Sequence, residues 1–202
     1  MTARATSMTC LAVLAVVSMW QAAPDPLEMV RTSNDQVAEL LRRPQSQERD
    51  AAITEVIVSA TSFPTLAENA VGSYWPAVPE EQREEYIAVF SELLSISSVQ
   101  KMGHYSADRI EFLDQEADGD EVILRTHAFF EDNMVRLDYT LALIEGQWKV
   151  INYALNDVDT VESYRKQFFR VIGSEGFEGL LERLKARLAE LKELPGGNDA
   201  RW

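Results

Sequence analysis

The chain has 202 residues, 46% of them hydrophobic and 26% charged, which is enough for one domain with a sizeable core and speaks against general disorder. Phosphate binding needs clustered Lys and Arg, and long residence on an anionic membrane draws on basic residues, so a formal net charge of -14 argues against both. Carboxylates in this excess favour solubility.

Residues 1–7 carry one basic side chain, Arg4, and no acid; residues 8–20 (MTCLAVLAVVSMW) are mostly apolar. At about 13 residues this run falls short of the roughly 20 that span a bilayer. It has the form of the hydrophobic region of an export signal, with Gln21-Ala22-Ala23 offering small residues for cleavage, and residues 1–23 are expected to be a signal peptide. The sole cysteine, Cys10, lies inside that run, so the mature chain is expected to hold no thiol and no disulfide. A secreted chain of this size without disulfides fits a bacterial envelope.

Asp25-Pro26-Leu27-Glu28 reads as a helix start, and Leu27, Val30, Val37, Leu40 and Leu41 follow on one face. A second helix is expected after Ser46, with Ile53, Val56 and Ile57. A third opens at Phe63-Pro64 and ends near Gly72. Pro79-Glu80-Glu81 begins a long helix in which Tyr86, Phe90, Leu93 and Leu94 recur at three and four residues. From Gly103 the period shifts towards two. Four strands are expected, over 104–113, 121–131, 135–143 and 147–156, joined by short turns into an antiparallel meander with one apolar face. In the third strand Val135, Leu137, Tyr139, Leu141 and Leu143 alternate with Arg136, Asp138 and Thr140. Asp159 and Glu162 form a capping pair for a helix with the stripe Val161, Tyr164, Phe168 and Ile172, which Gly173 is expected to end. A last helix carries Phe177, Leu180, Leu181, Leu184, Leu188 and Leu191, and a tail follows over 195–202. Helices, then a sheet, then helices make one α+β domain over 24–194, with an antiparallel four-stranded sheet covered by the N- and C-terminal helices.

Chemistry-bearing motifs are sparse. His104 and His127 are the only histidines, and no His/Cys cluster has zinc-ligand spacing. No nucleophile elbow, phosphate loop or dinucleotide fingerprint is present. Asp114, Glu116, Asp118 and Gly119 have the spacing that opens a calcium loop, but the twelfth position is Arg125 where a bidentate Glu is needed, so a solvated hairpin is the better reading.

Trp148-Lys149-Val150-Ile151-Asn152, Val158, Val161, Tyr164-Arg165, Gln167-Phe168 and the run from Gly176 to Leu184 (GFEGLLERL) resemble the C-terminal signature of the MlaC-type family of periplasmic phospholipid-binding proteins, also described as toluene-tolerance or auxiliary transport proteins. Ala67, Gly72, Tyr74-Trp75, the run from Pro79 to Arg83, Tyr86, Phe90 and Leu93-Leu94 resemble that family's first helical block. The order is the same over most of the mature chain. Two departures stand out: Pro64 follows Phe63 where the family usually has Asp, and Asp157-Val158-Asp159 replaces a Gly-Val-Ser-like turn.

The resemblance implies a periplasmic lipid carrier with a deep apolar cavity between the layers. It implies a phospholipid or a hopanoid-related lipid as cargo, an inner-membrane ABC-type transport complex and an outer-membrane component as partners, and no cofactor. The bilayer solvates each methylene by about 0.8 kcal/mol, so two chains demand a large dry pocket. Trp75, Phe90, Leu94, Val122, Leu124, Leu137, Tyr139, Leu141, Tyr164, Phe168 and Ile172 are the expected lipid-binding residues, and neither nucleic acid nor stable membrane insertion is expected. Arg165 is placed either to meet a lipid phosphate or to pair with a carboxylate. Two rival readings remain. A small hydrolase or isomerase would draw on Tyr139, Tyr153, Asp138, His127 and Arg136; an interaction protein would have a filled core.

Overall fold

The structure, a computed structural model, describes residues 25–104, 109–130 and 133–193. The expected signal peptide over 1–23, with Cys10, and the tail over 195–202 lie outside the described residues. Four helices come first: α1 (Pro26–Leu41), α2 (Gln47–Ala60), α3 (Phe63–Val71) and, after a 3-10 turn over Gly72–Ala77, the long α4 (Glu80–His104). Their starts follow the sequence chemistry. The Asp25 carboxylate accepts the N–H of Leu27 at 3.0 Å, and the Ser46 hydroxyl accepts that of Arg49 at 3.1 Å. Pro64 sits in the first turn of α3, where a missing N–H costs nothing.

The sheet is an antiparallel meander of five strands in the order of the chain: β1 (Arg109–Asp118), β2 (Glu121–Phe130), β3 (Asn133–Ile144), β4 (Gln147–Leu155) and β5 (Val158–Asp159). The expected four become five because Asn156 and Asp157 both take left-handed backbone, with φ of 47° and 65°. That tight turn returns the chain onto β4 for two residues, too few to leave any periodicity in the sequence. The position that departs from Gly in the family pattern is the left-handed Asp157. Its carboxylate binds the Arg136 guanidinium, while the Arg136 N–H donates to the Asn156 side chain at 3.0 Å.

β1 also lies further along than expected, since α4 runs on to His104. Its acidic second half, which has no hydrophobic alternation, runs along β2 in the ladder, and Arg125 of β2 binds Asp114 at 3.2 Å and Glu116 at 2.6 Å. Carboxylates that imitated a calcium loop are thus tied to the residue at its twelfth position. The β1–β2 register slips between Phe112 and Asp114, leaving Leu113 as a bulge. On the other side of the sheet Thr61, between α2 and α3, makes a parallel bridge to Val150, and the Ser62 N–H donates to the Val150 carbonyl at 2.9 Å.

The last helix, α5 (Thr160–Glu193), is capped as anticipated, with the Asp159 carboxylate accepting the Glu162 N–H at 2.7 Å. It passes straight through Gly173 and breaks at Gly176, where φ is 74° and ψ 177°. α3, α4 and α5 share one apolar core. A smaller core joins Leu40 of α1, Ile53 of α2 and Val99 of α4. A third lies between α1 and the inner face of the sheet.

Candidate functional site

Strand register decides which side chains meet on the inner face. Val122 stands opposite Leu141, Leu124 opposite Tyr139 and Thr126 opposite Leu137; on β4, Tyr153 is opposite Tyr139 and Leu155 opposite Leu137. Val122, Leu124, Leu141 and Val150 are buried under Val30 of α1, with Leu27, Met29, Phe112, Tyr139 and Trp148 around them. Away from α1 the cover thins. Leu137 is half-buried, while Leu155 is 47% and Val158 60% exposed. The face is therefore an apolar ramp, buried at Leu141 and Val150 and again at Thr126 and Ala128, and open at the β4–β5 corner around Leu155 and Val158.

Polar groups interrupt it at one place. The Tyr139 hydroxyl donates to Oδ1 of Asn34 on α1 at 3.3 Å, and burial pushes its pKa up to about 12. Burial also raises that of Tyr153, against the hydroxyls of Thr160 and Ser98, which lie within hydrogen-bonding reach. The Asn34 Nδ2 is buried with no partner among the described residues. Thr126 is wholly buried and spends its hydroxyl on the Leu137 carbonyl, at 2.5 Å. Helices α1, α4 and α5 thus bring an amide and two hydroxyls to a pair of neutral phenols set in apolar surroundings. Such a group can orient a ligand oxygen but offers no base at neutral pH. The other residues weighed for acid–base work lie on the opposite face: His127 pairs with Arg136 and Asp138 with Arg125 across β2 and β3. They do not converge with the tyrosines.

The second set of expected lipid-binding residues sits elsewhere. Phe90 stacks on Tyr86 with ring centroids 5.5 Å apart and meets Tyr164 and Phe168 edge-on at 5.0 and 5.3 Å. Trp75 tilts against Tyr86 at 6.2 Å, and Leu94 and Ile172 pack in the same helical core. The Tyr86 hydroxyl donates to the Ala67 carbonyl at 3.1 Å, and burial holds its pKa well above the ordinary phenol value. The eleven residues consequently fall into a sheet group and a helical group.

Where the layers meet, α1 lies on the sheet, and Val30, 2% exposed, packs against Val122, Leu124, Leu141 and Val150. An open cleft of about 610 Å³ lies between α2, α3 and α4, lined by Thr54, Val58, Phe63, Ser95 and Ile96, with none of the eleven. Arg165 goes to protein groups: it reaches Glu162 at 3.2 Å and donates from Nε and Nη2 to the Asn69 carbonyl at 3.0 and 2.7 Å, near the end of α3. Gly72 makes room for it, since a Cβ there would stand 3.2 Å from Nε.

Sequence reasoning missed Asn34, Ser98 and Thr160. For Asn34 a signal existed: it stands four residues after Val30 and three before Val37, a polar residue on an apolar helix flank. Among the described residues no cluster of three or more His, Cys, Asp or Glu is placed to hold a metal, and no helix is long and apolar enough to cross a membrane.

Comparison with known proteins places this geometry. A phospholipid-binding protein from Ralstonia solanacearum, solved in complex with a phospholipid, has the same fold: TM-score 0.75 at 23% identity, over 83% of this chain and 99% of that one. The intermembrane phospholipid transport system binding protein MlaC of Haemophilus influenzae is 21% identical over 125 residues, which are 57% of this chain and 56% of the relative, about half its length. The MlaC protein family model matches residues 31–186, a span that takes in most of α1, the whole sheet and most of α5. The chain belongs to the MlaC family.

Proposed function

We propose that the chain is a periplasmic phospholipid carrier that holds acyl chains against the inner face of its sheet. The observation that carries this reading is the family match over 31–186 together with an apolar ramp on the sheet that α1 covers only in part. The cargo of the Ralstonia solanacearum neighbour and the name of the Haemophilus influenzae relative support phospholipid as the ligand class. Val122, Leu124, Leu137, Tyr139 and Leu141 form the wall. Trp75, Phe90, Leu94, Tyr164, Phe168 and Ile172 form the rigid frame behind it.

Loading moves α1 off the sheet. The side chains it withdraws, Leu27, Met29 and Val30, are worth about 1.5–3 kcal/mol each when fully buried. Relative to water, two acyl chains gain about 0.8 kcal/mol for every methylene they bury, so for a chain already out of the bilayer this outweighs the displaced helix face. No bond is made or broken, and the phenols serve as neutral hydrogen-bonding groups. Residues 1–23 direct export and are removed, 24–194 carry the lipid, and 195–202 form a tail. Donor and acceptor are an inner-membrane ABC-type complex and an outer-membrane component, met transiently.

Protein made from the full chain in bacteria and isolated from the envelope tests this by intact and native mass spectrometry. The expected masses are a chain beginning near Ala23 to Asp25 and the same chain with phospholipid bound. Protein that carries no lipid, and takes none from vesicles after stripping, overturns the carrier function.

A further inference from the structure

We infer that α1 carries the polar anchor for the lipid: Arg31 binds the phosphate and Asn34 binds an ester carbonyl on the same glycerol. The inference rests on the carrier reading and adds to it the residues that recognise the polar part of the cargo and the direction in which the cargo lies.

The chain is strongly acidic, and the arginines of the sheet show what that does: Arg109, Arg125 and Arg136 each bind a carboxylate. Arg31 is different. It is exposed on α1, and among the described residues its guanidinium meets no carboxylate and lies over the Phe112 ring, 5.2 Å from the centroid. Phe112 packs at the edge of the α1–sheet core, so the cation stands at the rim of the apolar face. Stacking on the ring leaves the guanidinium edges free to bind a phosphate.

One helical turn on, Asn34 reaches into the same core. Its Oδ1 accepts from Tyr139, and its Nδ2 is an enclosed donor without an acceptor. Whichever way the amide is turned, one of its polar atoms is left over. A buried donor in that state costs free energy until an oxygen arrives. It is sealed while α1 lies on the sheet and becomes reachable through the same displacement that admits the chains. Residues three apart on a helix lie on one flank about 5–6 Å apart. Phosphate and ester carbonyl on one glycerol are spaced similarly. The headgroup therefore lies at the α1–β1 rim, and the chains run along the ramp towards Leu137 and Leu155.

Lipid-stripped protein is offered vesicle-borne diacyl phosphatidylcholine, its dialkyl ether counterpart and diacylglycerol of the same chains. The full chain should hold the diacyl phospholipid about tenfold better than either of the others. Arg31→Gln should erase the preference over diacylglycerol and Asn34→Leu the preference over the ether lipid, whose oxygen is the poorer acceptor. Arg43→Gln, at an exposed cation beyond the end of α1, should do neither. If Asn34→Leu does not fold, the double variant Asn34→Leu/Tyr139→Phe makes both hydrogen-bonding partners apolar and carries the same comparison.

Unchanged ratios in Arg31→Gln or Asn34→Leu overturn the assignment, as does an Arg43→Gln effect equal to that of Arg31→Gln. Inorganic phosphate should leave bound lipid in place; displacement would make Arg31 a free-anion site. A full chain that takes up no lipid of any kind sinks the carrier reading itself, and this inference with it.

Discussion

Phe168→Ala separates frame from wall. Phe168 is 3% exposed, and its ring meets those of Phe90 at 5.3 Å, Tyr164 at 5.5 Å and Tyr86 at 6.3 Å. Truncating a buried Phe costs about 3–5 kcal/mol. The upper part of that range applies here, because rigid rings line the hole and cannot collapse into it, and each lost ring pair adds about 0.5–1.5 kcal/mol beyond area. A loss of about 4–5 kcal/mol is expected in lipid-stripped protein. At roughly 2–4 °C per kcal/mol for a domain of this size, the melting midpoint should fall by about 8–20 °C. Urea unfolding of stripped wild type and variant, with unchanged m, measures the difference. Leu137→Ala is the counterpart. Half-buried on the sheet face, it should cost under about 2 kcal/mol and lower lipid uptake instead. If Phe168→Ala loses less than about 2 kcal/mol and releases lipid, its ring faces cargo, and the division into frame and wall is wrong.

The buried phenols predict an alkaline limit. Tyr139 sits at about 12 in the folded chain, against about 10 unfolded, with Tyr153 shifted the same way. The stability this represents is complete below pH about 10 and is lost as pH rises from there through about 12. Urea midpoints measured across that window should decline, and Tyr139→Phe should flatten the decline; an identical slope in the variant contradicts the assignment. At the break in α5, Gly176→Ala should destabilise by about 1–3 kcal/mol, since φ 74° with ψ 177° is open essentially to glycine alone. Gly173→Ala, with open space at its Cβ inside the helix, should stabilise by roughly 0.5–1 kcal/mol. The opposite order in thermal melts would put the break at the wrong glycine.

Much of the fold was legible because local chemistry and tertiary need agreed. The alternation from Val135 to Leu141 is the β3 face pattern, whereas Leu143 is exposed, and Asp25, Ser46 and Asp159 cap the helices the sequence assigns to them. It failed where a distant partner supplied the stabilisation. The second half of β1 is a strand laid along β2, with Arg125 reaching Asp114 and Glu116 across the ladder, which hydropathy along one segment cannot register. Gly173 and Gly176 look alike as letters; only the backbone angle tells a tolerated glycine from an obligatory one. The division of the apolar residues into two cores was hidden for a related reason. Phe168 on a helix and Leu124 on a strand each declare an inward face, but not which core receives it. Asn34 was passed over because one polar letter in an apolar stripe carries little weight until its amide is seen unpaired.

Both borders of the sheet are guarded, and that bears on life in a crowded compartment. A strand with free N–H and C=O groups invites another chain to continue the sheet. On the β1 side the bulge at Leu113 disturbs the regular ladder, and Asp114, Glu116 and Asp118 crowd the strand with charged side chains. On the β4 side the α2–α3 junction occupies the Val150 carbonyl at one end and β5 covers the other. With α1 lifted as proposed for loading, the molecule would present an adhesive surface but no template. Two such molecules meeting face to face have no backbone ladder to extend, so an encounter stays reversible and does not grow into a fibre.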